Sequence, residues 1–180
     1  MPMRSVVDSG FEVSVDEDTS FRFAEFAPYK SLSGLHLKEM DVGWWDSGRA
    51  RIVMLELKGE TIWDAFDSSD DEAHEHLVSN LRAKATDVLL MLAASWIGTT
   101  EGAKIRALLP ARVGCYPGDD HIKLIFLIDT PPARRLLLTP VKDALNRKVA
   151  GRTRLFGIKH VTVIDFDKAT QLGLPVQRHP

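Results

Sequence analysis

DVGWWDSGRARIVMLELK, residues 41–58, decides how this chain is read. Ala50 to Leu57 is an apolar run rich in β-branched residues, the pattern of a buried strand. Asp46-Ser47-Gly48 is a turn signal, and Leu35 to Trp45 reads as extended. A two-residue turn at Ser47 and Gly48 sets Asp46 against Arg49 and Asp41 against Met54. Side chains alternate between the faces of a strand, so Glu56 and Lys58 then share the face of Asp41. Diagonal cross-strand neighbours are about 7–8 Å apart, close enough for two carboxylates to share one divalent cation. A three-residue loop would reverse the parity and separate them.

The chemistry of such a group is specific. Carboxylate oxygens suit Mg²⁺, a hard ion. A bound metal polarises a phosphoryl oxygen and acidifies water, and a lysine beside it stabilises the added negative charge. Those are the needs of phosphodiester hydrolysis. Glu56-Leu57-Lys58 is the only acidic-x-Lys triplet in the chain.

Asp41, a short strand, a turn, and Glu56-Leu57-Lys58 ending an apolar strand together resemble the PD-(D/E)xK nuclease superfamily. The resemblance covers roughly residues 20–130. It implies a restriction-endonuclease-like core, a central mixed β-sheet flanked by helices. It implies Asp41 and Glu56 as ligands of Mg²⁺ or Mn²⁺, and Lys58 as the group assisting the attacking water. Glu25 is the candidate for an additional acidic residue from an upstream element. Met40 stands where the family often has proline. The helix after the hairpin carries Asn80 and Lys84 but no Gln-x-x-x-Tyr motif, which disfavours the exonuclease subgroup.

Outward from the hairpin, Phe11 to Val15 and Phe21 to Phe26 alternate like strands, although a short helix before Pro28 also suits the second stretch. Residues 1–10 read as frayed, 16–19 as a turn and 31–34 as a loop. Residues 69–96 give the clearest helix. Ser69 and Glu72 have capping-box spacing. Leu77, Leu81, Ala85, Val88, Leu92 and Trp96 form its inner stripe, and Gly98 stops it. Lys104 to Val113 and Ile122 to Ile128 read as strands. A helix follows Pro131-Pro132 to about Val149, with Leu136, Leu137, Val141 and Leu145 inside. Val161 to Phe166 reads as the last strand. The order predicts a mixed α+β or three-layer protein in one domain, residues 1–180, with 131–180 as an extension of the core.

Of 180 residues, 44% are hydrophobic and 27% charged, enough apolar material for a core. Cys115 is the single cysteine, which excludes an intramolecular disulfide and a cysteine-based zinc site. No secretory h-region or membrane-length apolar run is visible, so the expectation is a soluble, cytoplasmic protein. Residues 1–100 carry 9 Lys+Arg against 18 Asp+Glu, and residues 101–180 carry 14 against 7. A globally basic nucleic-acid binder is excluded, but an acidic site beside a basic wall is not.

Arg147, Lys148, Arg152, Arg154 and Lys159 are candidates for gripping a DNA or RNA backbone, or for an ordinary solvated helix end. Trp44, Trp45 and Trp63 could stack on bases, or pack in the core or a homodimer interface. Asp165 and Asp167 could form a second acidic site or cap the following turn. His74 and His76, two apart on a helix, do not share a face and make no metal site. Three functions therefore stand: a metal-dependent nuclease, a non-catalytic binding or assembly protein using its basic half, and an enzyme acting on a small anionic metabolite.

Overall fold

Ser9 and Gly10 both take positive φ, 52° and 80°, and this tight turn folds β1 (Met3–Asp8) back onto β2 (Phe11–Asp16). The stretch expected as frayed is thus, over Met3–Asp8, a paired strand. In this computed structural model, which describes residues 2–67 and 71–179, β3 (Ser20–Phe21) follows after a 3-10 turn at Glu17–Thr19. The stretch expected as a loop near residue 31 is α1 (Ala27–Ser33). Pro28 occupies the first turn of that helix, where a missing N–H costs nothing, and so starts a helix instead of stopping one.

The hairpin is β4 (Val42–Asp46) and β5 (Arg51–Lys58), antiparallel. Its register differs from the expected one by two residues: Asp46 pairs with Arg51, and Val42 with Leu55. The connection has four residues because Asp46 Oδ1 accepts from the Arg49 N–H at 3.2 Å and Ala50 adopts φ 48°. His121 Nδ1 holds the Ala50 carbonyl at 2.6 Å. A shift of two preserves parity, so the shared face survives the corrected register.

α2 (Asp71–Ile97) carries the chain back across the sheet. The capping box expected at Ser69 lies outside the described residues. Leu77, Leu81, Ala85, Val88 and Leu92 are buried as the stripe requires, and Gly98 ends the helix at φ 82°. α3 (Thr100–Arg106) replaces the strand expected from Lys104. Thr99 caps it by accepting from the Gly102 N–H, and Gly102 and Ile105 are buried three apart, a helical spacing. β6 (Ile122–Ile128), α4 (Leu138–Arg154), β7 (Thr162–Ile164), α5 (Phe166–Gln171) and β8 (Val176–Arg178) complete the chain. Leu136, expected inside, is exposed in a 3-10 turn that precedes α4.

The main sheet has the order β3-β4-β5-β6-β7, antiparallel through β5 and parallel from β5 to β7. A second sheet has the order β1-β2-β8. β5 is apolar nearly throughout because both of its faces are covered. Ile52 and Met54 pack with α2 and α4, whereas Val53, Leu55 and Leu57 pack with the small sheet. The molecule is therefore three-layered and mixed α and β: helices, a central mixed sheet, then a small antiparallel sheet with α5. Residues 131–179 supply the fifth strand of the main sheet and the third of the small one.

Candidate active site

Glu56 and Lys58 follow Ile52 and Met54 in alternation, so they point from β5 toward the helical layer. Asp41 precedes the first residue of β4. The Arg22 Nε donates to its carbonyl at 2.9 Å and fixes the backbone there. Its own Oδ2 accepts the Leu57 N–H at 2.6 Å, just past the last ladder pair, Val42 with Leu55. The ladder thus ends on a carboxylate that reaches across to β5.

α2 adds the third side. Lys84 lies at the edge of its inner stripe, between Leu81 and Ala85. Its Nζ is 2.6 Å from Glu56 Oε1 and 4.0 Å from Asp41 Oδ1. Lys58 Nζ is also 2.6 Å from Glu56 Oε1. Both ammonium groups thus form close ion pairs with the same carboxylate oxygen. Glu56 has no exposed surface, and its Oε2 is buried without a hydrogen-bond partner among the described residues.

Burial raises the Asp41 carboxyl to about 7, helped by the charges of Glu56 and Asp8 and opposed by Lys84 and the Leu57 N–H. Burial pulls Lys58 the other way, but Glu56 and then Asp41 and Asp8 reverse it, leaving the ammonium above the ordinary lysine range. Glu39 is raised by burial, against a backbone bond from Ala24 and the charges of Arg22 and Lys84, and with added repulsion from Glu56. Its Oε2 is likewise buried without a hydrogen-bond partner among the described residues.

The upstream acid near this cluster is therefore Glu39. Glu25 lies on the surface and pairs with Arg4 at 3.0 Å. Nothing in the sequence pattern marked Glu39, because the chain before β4 is irregular. Lys84 and Asn80 had a signal, since polar residues four apart bordered the inner stripe of a long helix. Asn80 Oδ1 is a further buried, unpartnered atom.

The donor set fits a hard divalent cation. Glu56 offers Oε2, buried and without a hydrogen-bond partner among the described residues, and Asp41 offers Oδ1, which the Lys84 ammonium approaches at 4.0 Å. Two carboxylates suffice for Mg²⁺, which keeps waters and substrate oxygens in its remaining positions. Among the described residues no three acidic, histidine or cysteine side chains form a metal group.

The basic residues lie elsewhere. α4 leaves the C-terminal end of β6 and finishes before β7, so Arg152 and Arg154 sit near the start of β6. There Arg154 and Lys159 line a depression with Asp119 and Asp120. Glu56 pairs with Phe126, four residues further along β6 than Ile122, or about 13 Å at strand rise. Arg147, Arg152 and Arg154 are exposed, Lys148 pairs with Glu75, and Lys159 with Asp120 at 2.7 Å. Trp44 and Trp63 are buried in the core, and Trp45 packs against it on the Asp41 face. Asp165 caps α5 by accepting from the Lys168 N–H.

Comparison with known protein families, curated proteins and solved structures finds no match to this chain. No described helix is long and apolar enough to cross a membrane.

Proposed function

We propose that this protein is a Mg²⁺- or Mn²⁺-dependent phosphodiester hydrolase acting on DNA or RNA, with a restriction-endonuclease-like core of the PD-(D/E)xK kind. One observation carries the reading: Asp41 and Glu56 converge on one face with Lys58, and the fully buried Glu56 keeps an oxygen, Oε2, that nothing among the described residues satisfies. An unmet buried carboxylate oxygen is costly unless a ligand completes it. The order of elements supports the same reading, since an antiparallel hairpin bearing the acids leads through a long helix to a parallel strand.

In this reading Asp41 and Glu56 hold the metal. When bound, the metal polarises the phosphoryl oxygen and supplies a more acidic water. Lys58 stays protonated at neutral pH, so it stabilises charge building on the phosphate and positions water rather than accepting a proton. The Leu57 N–H keeps the Asp41 carboxylate aimed at β5. The rigid ladder beneath fixes the spacing of the acids.

The test is cleavage of plasmid DNA, single-stranded DNA and RNA with Mg²⁺ or Mn²⁺, against an EDTA control. Asp41→Ala, Glu56→Ala and Lys58→Ala should each abolish cleavage while circular dichroism shows a folded chain. Undiminished cleavage by folded Glu56→Ala protein overturns the reading.

A specific observation favours a second reading, a non-catalytic binding or assembly protein. Lys58 and Lys84 already balance Asp41 and Glu56 charge for charge. Absence of Mn²⁺ binding at millimolar concentration, with salt-sensitive binding of nucleic acid, would select it.

A further inference from the structure

The metal reading leaves one group unexplained, the ammonium of Lys84. Of the two lysines it alone is in ion-pair range of both carboxylates, 2.6 Å from Glu56 Oε1 and 4.0 Å from Asp41 Oδ1. Lys58 reaches Glu56 only. Lys84 also comes from a different element. Lys58 hangs from β5 and Lys84 from α2, each on a flexible four-carbon stem.

We propose that Lys84 is a resident counter-cation which occupies the position between Asp41 and Glu56 and must be displaced before a divalent metal can bind there. This rests on the metal-dependent reading above and concerns how that site is regulated. The argument is one of space and charge. A metal ligated by both carboxylates would lie about 2.0–2.1 Å from each ligating oxygen, within a few ångströms of the Lys84 ammonium, which stands 2.6 Å from Glu56 Oε1 and 4.0 Å from Asp41 Oδ1. A dication and both ammonium groups repel one another in a cleft whose floor, Glu56, has no contact with solvent, because little water screens them, and of the two lysines Lys84 is the one within ion-pair range of both carboxylates. Two carboxylates balance two ammonium groups, and adding a dication without removing one leaves an uncompensated double positive charge. The stem of Lys84 is half-buried at the edge of the helix stripe, so its head can swing outward while the helix stays docked.

Metal binding is then an exchange. The metal-free protein is held together by Lys84, and metal affinity is set by how readily that ammonium leaves. A phosphate arriving at the site is a natural acceptor for the displaced head.

The experiment is Mn²⁺ titration of the full chain followed by electron paramagnetic resonance, in wild type, Lys84→Met and Lys84→Arg, without nucleic acid. Near-UV circular dichroism checks folding, and Lys84→Gln decides the matter if the Met variant does not fold. Lys84→Met should bind Mn²⁺ about tenfold or more tightly than wild type. Lys84→Arg, which keeps the charge, should bind as weakly as wild type. Wild-type binding as tight as that of Lys84→Met overturns the exchange and leaves the metal-dependent reading standing. Absence of Mn²⁺ binding in every variant overturns both.

Discussion

Lys84 Nζ lies 2.6 Å from Glu56 Oε1, so a helix side chain and a strand side chain meet at a carboxylate that solvent does not reach. Glu56→Gln removes the charge at nearly constant shape and leaves two ammonium groups in a half-buried cleft. The variant should lose about 3 kcal/mol of stability in urea unfolding. Adding Lys84→Met to it should recover part of that loss, because the second substitution removes one stranded cation. Strictly additive effects would mean that the two side chains are not coupled.

Asp41 makes the metal-free protein sensitive to pH. Its carboxyl is raised from 3.8 to about 7, so between those values the folded chain binds more protons than the unfolded chain. Stability from this group is therefore present below pH 4 and lost as pH rises toward 7. Glu39, also raised by burial, acts in the same direction. In EDTA, Asp41→Asn should be more stable to urea unfolding than wild type at pH 8, by an amount on the order of 2–4 kcal/mol, and the gap should close toward pH 4. A gap that is constant across this range would contradict the assignment.

Gly43 sits in β4 where any side chain would collide. A Cβ there would fall 2.4 Å from Phe21 Cζ and 2.6 Å from Met54 Sδ. Phe21 pairs with Gly43 in the ladder, and both neighbours are buried. Gly43→Ala should cost about 1–3 kcal/mol by overpacking. The melting temperature measures it, and an unchanged value would show that Phe21 can move aside freely.

Arg152 and Arg154, at the C-terminal end of α4, lie toward the far end of the sheet from Lys58, and Arg147 is exposed in the middle of the helix. Replacing Arg147, Arg152 and Arg154 by Ala together should leave cleavage of a short oligonucleotide within about twofold of wild type and flatten the salt dependence of binding to long duplexes. Loss of short-substrate cleavage in a folded triple variant would put those residues at the site.

Much of the hairpin was legible because its signals are local. Alternation along 50–57 fixes which side chains share a face, and an error of two residues in register leaves that face unchanged. The register itself was not legible. It depends on Ala50 taking a positive φ, secured by His121 from a distant segment. β1 and β8 were missed for a similar reason, since their pairing comes from β2 rather than from their own composition.

By itself, then, the sequence determined the apolar strand, the helix stripe and the common face of Asp41, Glu56 and Lys58, all of which follow from periodicities along the chain. Tertiary structure alone decided that Lys84 comes within ion-pair range of both carboxylates, that Glu39 and not Glu25 is the nearby upstream acid, and that Arg152 and Arg154 lie apart from the site. Those are distances between elements, set by how α2 and α4 dock on the sheet, and docking depends on packing summed over many residues that no local pattern encodes.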